Sequence, residues 1–155
     1  MRAWYDIRAV RIDHSEDEVG VRGSEIEIRA LIESQTEGGL ASGDIVLAGF
    51  SQGGAMALHT GLRYPGTLAG VLALSSYLPL AGTLDVERER SNDQTPLFLG
   101  HGTEDPVVPL ALGNAAYRQL SALDYRVLWH DYRMGHEVNL DEIRDIGRWL
   151  IGLLS

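Results

Sequence analysis

The sequence predicts an α/β fold, a mainly parallel sheet with helices on both faces. Three observations lead there. Short apolar runs alternate along the chain with stretches of helical period, the pattern of strands joined by crossover helices. The runs are mostly apolar and bounded by Gly, Pro or Asp, as suits strands covered on both faces. One of them passes straight into a helical stretch through Gly49-Phe50-Ser51-Gln52-Gly53, a strand-to-helix junction too tight for ordinary side chains.

In chain order, a helix is predicted over 24–37, with Ile26, Ile28, Leu31 and Ile32 near helical spacing and Ser24 as its cap. A buried strand follows over 44–50. The next helix, 52–64, stops before Pro65. Strands are predicted over 70–75, 96–100 and 125–130, and helices over 110–123 and 140–154. Segment 77–95 is polar, irregular and long for a connection, so it is the candidate lid or binding loop.

The 155 residues suit a single domain over 1–155. No apolar run reaches the roughly 18 residues that span a bilayer, and residues 1–6 show no apolar core of a secretory signal. With 13 basic against 22 acidic side chains the net charge is −9, which repels phosphate backbones and makes nucleic acid a poor partner. There is no cysteine, hence no disulfide, thiolate metal site or thiol nucleophile. A cytoplasmic location is the expectation. No metal-ligand spacing, G-x-G-x-x-G or Walker pattern occurs, so neither a metal nor a cofactor is predicted.

The chemistry sits at the junction. Gly49-Phe50-Ser51-Gln52-Gly53 is a G-x-S-x-G, weak alone but here set between an apolar strand and the small-residue helix start Gly53-Gly54-Ala55. That is the context of a nucleophile elbow. The turn forces a strained backbone at Ser51, and glycines two residues to either side let strand and helix pass without a Cβ clash. A serine hydroxyl needs a base, and the base an orienting carboxylate; in an α/β-hydrolase they follow in the order Ser, Asp or Glu, His. The loop after 96–100 carries Glu104 and Asp105; the loop after 125–130 carries His136. Asp105 is preferred as acid because Pro106 rigidifies its turn, with Glu104 as runner-up. His136 is the base. His14 lies in an acidic stretch, His59 in the helix after Ser51, His101 at a strand end under the acid loop, and His130 at a strand end.

The residues then resemble a known family. Stretches 1–7 (MRAWYDI), 47–55 (LAGFSQGGA), 72–79 (LALSSYLP), 101–109 (HGTEDPVVP) and 132–138 (YRMGHEV) are similar, in order, to the phospholipase/carboxylesterase family, which includes bacterial carboxylesterases and acyl-protein thioesterases. The resemblance implies Ser51, Asp105 and His136 as a triad and the Gln52 backbone N–H as one oxyanion-hole donor. It also places Leu78 and Pro79 near the acyl-binding region. Members of that family begin with further strands and a helix, one strand ending in a His-Gly loop that completes the oxyanion hole. Here the only His-Gly pair is His101-Gly102, within the acid loop. The expected fold is therefore an N-terminally shortened α/β-hydrolase, and the expected activity hydrolysis of small carboxylic esters. An acyl-protein thioesterase or lysophospholipase activity is the alternative within that chemistry, and a non-catalytic assembly module is the alternative of another class. Without the front strands, the strand holding Val46, Leu47 and Phe50 is expected to present an open apolar edge, and the chain to self-associate.

Overall fold

The structure, a computed structural model, describes residues 4–5 and 17–153. The readings of His14, of most of 1–7 and of the end of the last helix at Leu154 lie outside them. Four parallel strands, β1 (Val46–Phe50), β2 (Gly70–Leu74), β3 (Leu97–Gly102) and β4 (Val127–Tyr132), lie side by side in sequence order. Their registers place Phe50 beside Leu74, Leu74 beside Gly100 and Gly102 beside Tyr132. The carboxyl ends of all four strands therefore open on one side, where open α/β sheets gather their sites.

Helices cover both faces, as the pattern predicts. On one, α2 (Gln52–Arg63) and α4 (Leu110–Ala122) bury Leu58, Leu62, Ala116 and Leu120 against Val71, Ala73, Leu97 and Leu99. On the other, Ile146 and Trp149 of α5 (Leu140–Leu153) lie against Leu72, Leu74 and Phe98.

Helix α1 (Glu18–Glu37) begins earlier than the expected 24, and its cap is Asp17, whose carboxylate accepts the Gly20 N–H at 3.1 Å. Ser24 is buried inside the helix, its hydroxyl donating to the Trp4 carbonyl. The apolar spacing also misleads: Ile26 and Leu31 are 70% and 61% exposed, while the buried stripe runs through Val21, Ser24, Glu25 and Ile32. Glu25 is tolerated there because His59 of α2 lies 2.8 Å from its Oε2 and Arg29 bridges its Oε1 at 2.6 Å. Strand β4 is shifted toward the C-terminus from 125–130. Tyr125 belongs to the core, its N–H closing onto the Leu120 carbonyl at the end of α4.

The candidate lid, 77–95, is tied down. It contains a 3₁₀ turn at 81–83, a single helical turn, α3 (Leu84–Glu87), and a second 3₁₀ turn at 90–92. Arg63 of α2 donates to Glu87, to Thr83 and to the Leu80 carbonyl. Buried Asn92 accepts the Leu68 N–H and donates to the Tyr64 and Gly66 carbonyls. No helix among the described residues is long and apolar enough to cross a membrane.

Candidate active site

Ser51 stands between β1 and α2 with φ 56° and ψ −122°, a left-handed conformation that L-residues adopt only under constraint. Its N–H donates to the Leu74 carbonyl at 2.8 Å, and its own carbonyl accepts the Ala55 N–H at 3.0 Å, so both strand and helix hold the turn. The close crossing lies at Gly49 and Gly54. A Cβ on Gly49 would sit 2.1 Å from the Gly53 carbonyl carbon, and one on Gly54 would sit 2.8 Å from the Gly49 oxygen. A Cβ on Gly53 would meet nothing nearer than the Trp4 indole nitrogen at 3.9 Å, which corrects the expectation that positions 49 and 53 make the crossing.

The acid and base loops reach the serine from β3 and β4, and the pairing of those strands continues into the loops. Thr103 N–H donates to the Tyr132 carbonyl and Glu104 N–H to the Met134 carbonyl. This continuation puts Asp105 next to His136. The Asp105 Oδ2 lies 2.8 Å from His136 Nδ1, and His136 Nε2 lies 3.0 Å from Ser51 Oγ. Phe50 flanks the imidazole, ring centroids 4.7 Å apart.

Electrostatics assign the protons along this chain. Burial alone would push the Asp105 carboxyl up. The bond from His136 and the Val108 and Val107 N–H groups, at 2.9 and 2.8 Å from Oδ1, outweigh it and hold the group below its ordinary value. An ionised carboxylate only accepts, so Nδ1 of His136 carries the proton and Nε2 is free to accept from the Ser51 hydroxyl.

The structure thus brings Ser51, Asp105 and His136 together. It turns Glu104 outward, where Arg133 Nε donates to it at 3.2 Å. Gln52 opens α2, so its backbone N–H is among the first four that lack an intrahelical acceptor. Its side chain has a separate task that the sequence does not signal. Oε1 accepts the Trp4 N–H at 2.8 Å, and Nε2 donates to the Tyr5 carbonyl at 2.7 Å. Leu78 and Pro79 are buried, Leu78 within the main core, so neither forms an exposed wall. Ser75 also has positive φ, but it is buried, unlike the half-buried Ser51. His59 pairs with Glu25, His101 lies beneath the acid loop, and His130 stacks on Phe98 on the α5 face, inside β4 rather than at its end. Among the described residues, no three His, Asp or Glu side chains gather in a way that would hold a metal ion.

Comparison with known proteins bears on this geometry. Residues 1–152 match the profile of the phospholipase/carboxylesterase family. Acyl-protein thioesterase 1 of Neurospora crassa is 39% identical over 158 aligned residues, which cover 97% of this chain and 64% of that protein. The chain therefore spans about two thirds of the length of the curated relatives it matches. The crystal structure of Arabidopsis thaliana SOBER1 superposes with a TM-score of 0.94 at 28% identity, covering 100% of this chain and 75% of that one. Zea mays acyl-protein thioesterase 2 superposes at 0.83 and 29% identity, covering 99% and 73%.

Proposed function

The chain belongs to the phospholipase/carboxylesterase family, and we propose that it is a serine hydrolase of small carboxylic esters, with Ser51 as nucleophile, His136 as base and Asp105 as acid. The observation that carries this reading is the unbroken hydrogen-bonded line Asp105–His136–Ser51 ending at a strained elbow. In the proposed reaction Ser51 Oγ attacks the acyl carbonyl as its proton passes to His136 Nε2. The imidazolium, held by Asp105, then protonates the leaving alcohol. Water, deprotonated by the same imidazole, attacks the acyl-enzyme and frees the acid and Ser51. The Gln52 N–H at the head of α2 faces the developing oxyanion, where the helix dipole also favours negative charge. Leu78 and Pro79 are proposed to back the acyl side from within the core. The same steps cleave a thioester with a thiol as leaving group, and the thioesterase relatives favour that as the second reading.

We also propose self-association along β1, which pairs only with β2 among the described residues and carries Phe50, 38% exposed, beside His136. Soluble proteins usually cover such an edge. Light scattering that finds a compact monomer at micromolar concentration would overturn this part.

The test of the reaction is a fluorophosphonate probe followed by mass spectrometry of the labelled peptide. Ser51 alone should be modified, and Ser51→Ala should lose both labelling and hydrolysis of p-nitrophenyl acetate. Labelling at Ser75 or Ser76, or at no serine, would overturn the assignment. Across a series of acyl lengths, kcat/KM should fall as the chain grows. A steady rise would point to a lipid-derived acyl group instead.

A further inference from the structure

The turn that carries Asp105 is held by Asp105 itself. Its Oδ1 accepts the N–H groups of Val107 and Val108, so the carboxylate shapes the turn and the turn shapes the carboxylate. Two mutually dependent elements need an anchor outside the pair, and one side chain provides it. His101, buried in β3, has Nε2 2.9 Å from the carbonyl oxygen of Val108. A carbonyl only accepts, so Nε2 carries the proton. The Val108 residue is thereby held at both ends, its N–H by the carboxylate and its C=O by the imidazole.

The ring has little freedom to do otherwise. Gly113 of α4 leaves the space it fills, since a Cβ there would lie 2.4 Å from His101 Nδ1. Trp129 of β4 stacks alongside it, ring centroids 6.2 Å apart. His101 Nε2 also lies 3.7 Å from Asp105 Oδ2, the oxygen that accepts from His136, beyond hydrogen-bond reach. The imidazole therefore spends its donor on the turn and leaves that oxygen to His136.

We propose that His101 is a positioning residue for the acid: its Nε2–H bond to Val108 fixes the 105–108 turn and so keeps Asp105 Oδ2 on the Nδ1 proton of His136. This rests on the roles proposed above for Ser51, Asp105 and His136. Removing the donor leaves a buried carbonyl unsatisfied and frees the turn to shift. A displacement near 1 Å at a catalytic group costs on the order of a hundredfold in rate.

The experiment compares His101→Gln, His101→Asn and His101→Leu with the parent chain. A glutamine amide reaches the place of Nε2, an asparagine amide falls short near Nδ1, and leucine has no donor. Two quantities are read: kcat and KM on p-nitrophenyl acetate, and the low-field proton resonance of His136 Nδ1–H. His101→Leu and His101→Asn should each lose about a hundredfold in kcat with KM little changed, and lose the resonance. His101→Gln should stay within about tenfold of the parent and keep the resonance. Equal losses in the Gln and Asn variants would overturn the inference, as would a Leu variant with parental kcat and resonance. If the Leu variant does not fold, the Gln and Asn pair decides. Should Ser51→Ala retain full activity, the catalytic reading has failed, and the resonance alone then judges the role of His101. Should Ser51 prove essential while all three His101 variants match the parent, only the present inference falls.

Discussion

Asp105 and Glu142 are both carboxyl groups whose side chains are shut off from solvent, one in the acid loop and one in the first turn of α5. Asp105 receives three hydrogen bonds and is held below its ordinary value. Glu142 has no hydrogen-bond partner for either oxygen among the described residues, and burial pushes it up to about 7 from an ordinary 4.5. The helix N-terminus at which it stands favours a negative charge, yet desolvation prevails. Its Oε1 is pressed so closely on β3 that a Cβ at Gly100 would lie 2.2 Å away. Solvent reaches neither side chain, and Glu142 is the more deeply buried of the two. The donors aimed at the oxygens keep Asp105 an anion fit to orient an imidazole, while Glu142, buried without them, is pushed up.

The largest loss is expected at Asp105. Asparagine there still accepts the Val107 and Val108 N–H groups, but it offers His136 a donor in place of an acceptor. The imidazole must then carry its proton on Nε2, facing Ser51. Asp105→Asn should lower kcat on p-nitrophenyl acetate by about 10⁴-fold with the fold intact by circular dichroism. A variant within about tenfold of the parent would show that Asp105 does not set the tautomer.

Glu142→Gln acts on stability. The folded pKa of Glu142 lies above its unfolded value, so its contribution is fully present below about 4.5 and is lost as pH rises through about 7. The full loss is on the order of 3 kcal/mol, reached above about pH 8. Glutamine has the shape of the protonated acid and cannot ionise. Urea unfolding should therefore find the variant and parent similar at pH 4, with the variant more stable at pH 8. Parallel curves would mean that Glu142 finds a partner in solution. Asp105 has the opposite sign: its folded value is depressed, so its stabilisation is present above the unfolded value and fades as pH falls.

The smallest effect belongs to Glu104, the exposed neighbour of Asp105. Its pair with Arg133 is of the solvent-screened kind that contributes little. Glu104→Gln should leave kcat and the urea midpoint unchanged. A large loss of rate would revive it as the acid.

Much of this was legible without coordinates. The apolar runs around 44–50, 70–75 and 96–100 are strands because their neighbours in sequence are enough to mark them. The elbow at Ser51 was readable from two glycines, a strand and a helix start. Asp105 and His136 followed from the order of loops at the carboxyl edge of a parallel sheet. The misreadings share a cause. Helix α1 was placed by its isoleucines, but Glu25 took a buried position because His59, 34 residues away, was there to pair with it. Ser24 looked like a cap and instead binds the Trp4 carbonyl. Segment 77–95 reads as an irregular candidate lid because its anchors, Arg63 and Tyr64, lie outside it in the chain.

Residues adjacent along the backbone are enough to specify the alternation of strands and helices, the strained serine and the family to which the chain belongs. Which carboxylate faces the imidazole, what Gln52 and His101 hold in place, and the upward push on the Glu142 carboxyl are set by the tertiary structure. Those outcomes depend on water excluded and donors supplied by segments distant in sequence. A charged group costs or contributes according to the partners the fold delivers to it, and no residue in a one-dimensional pattern carries that information alone.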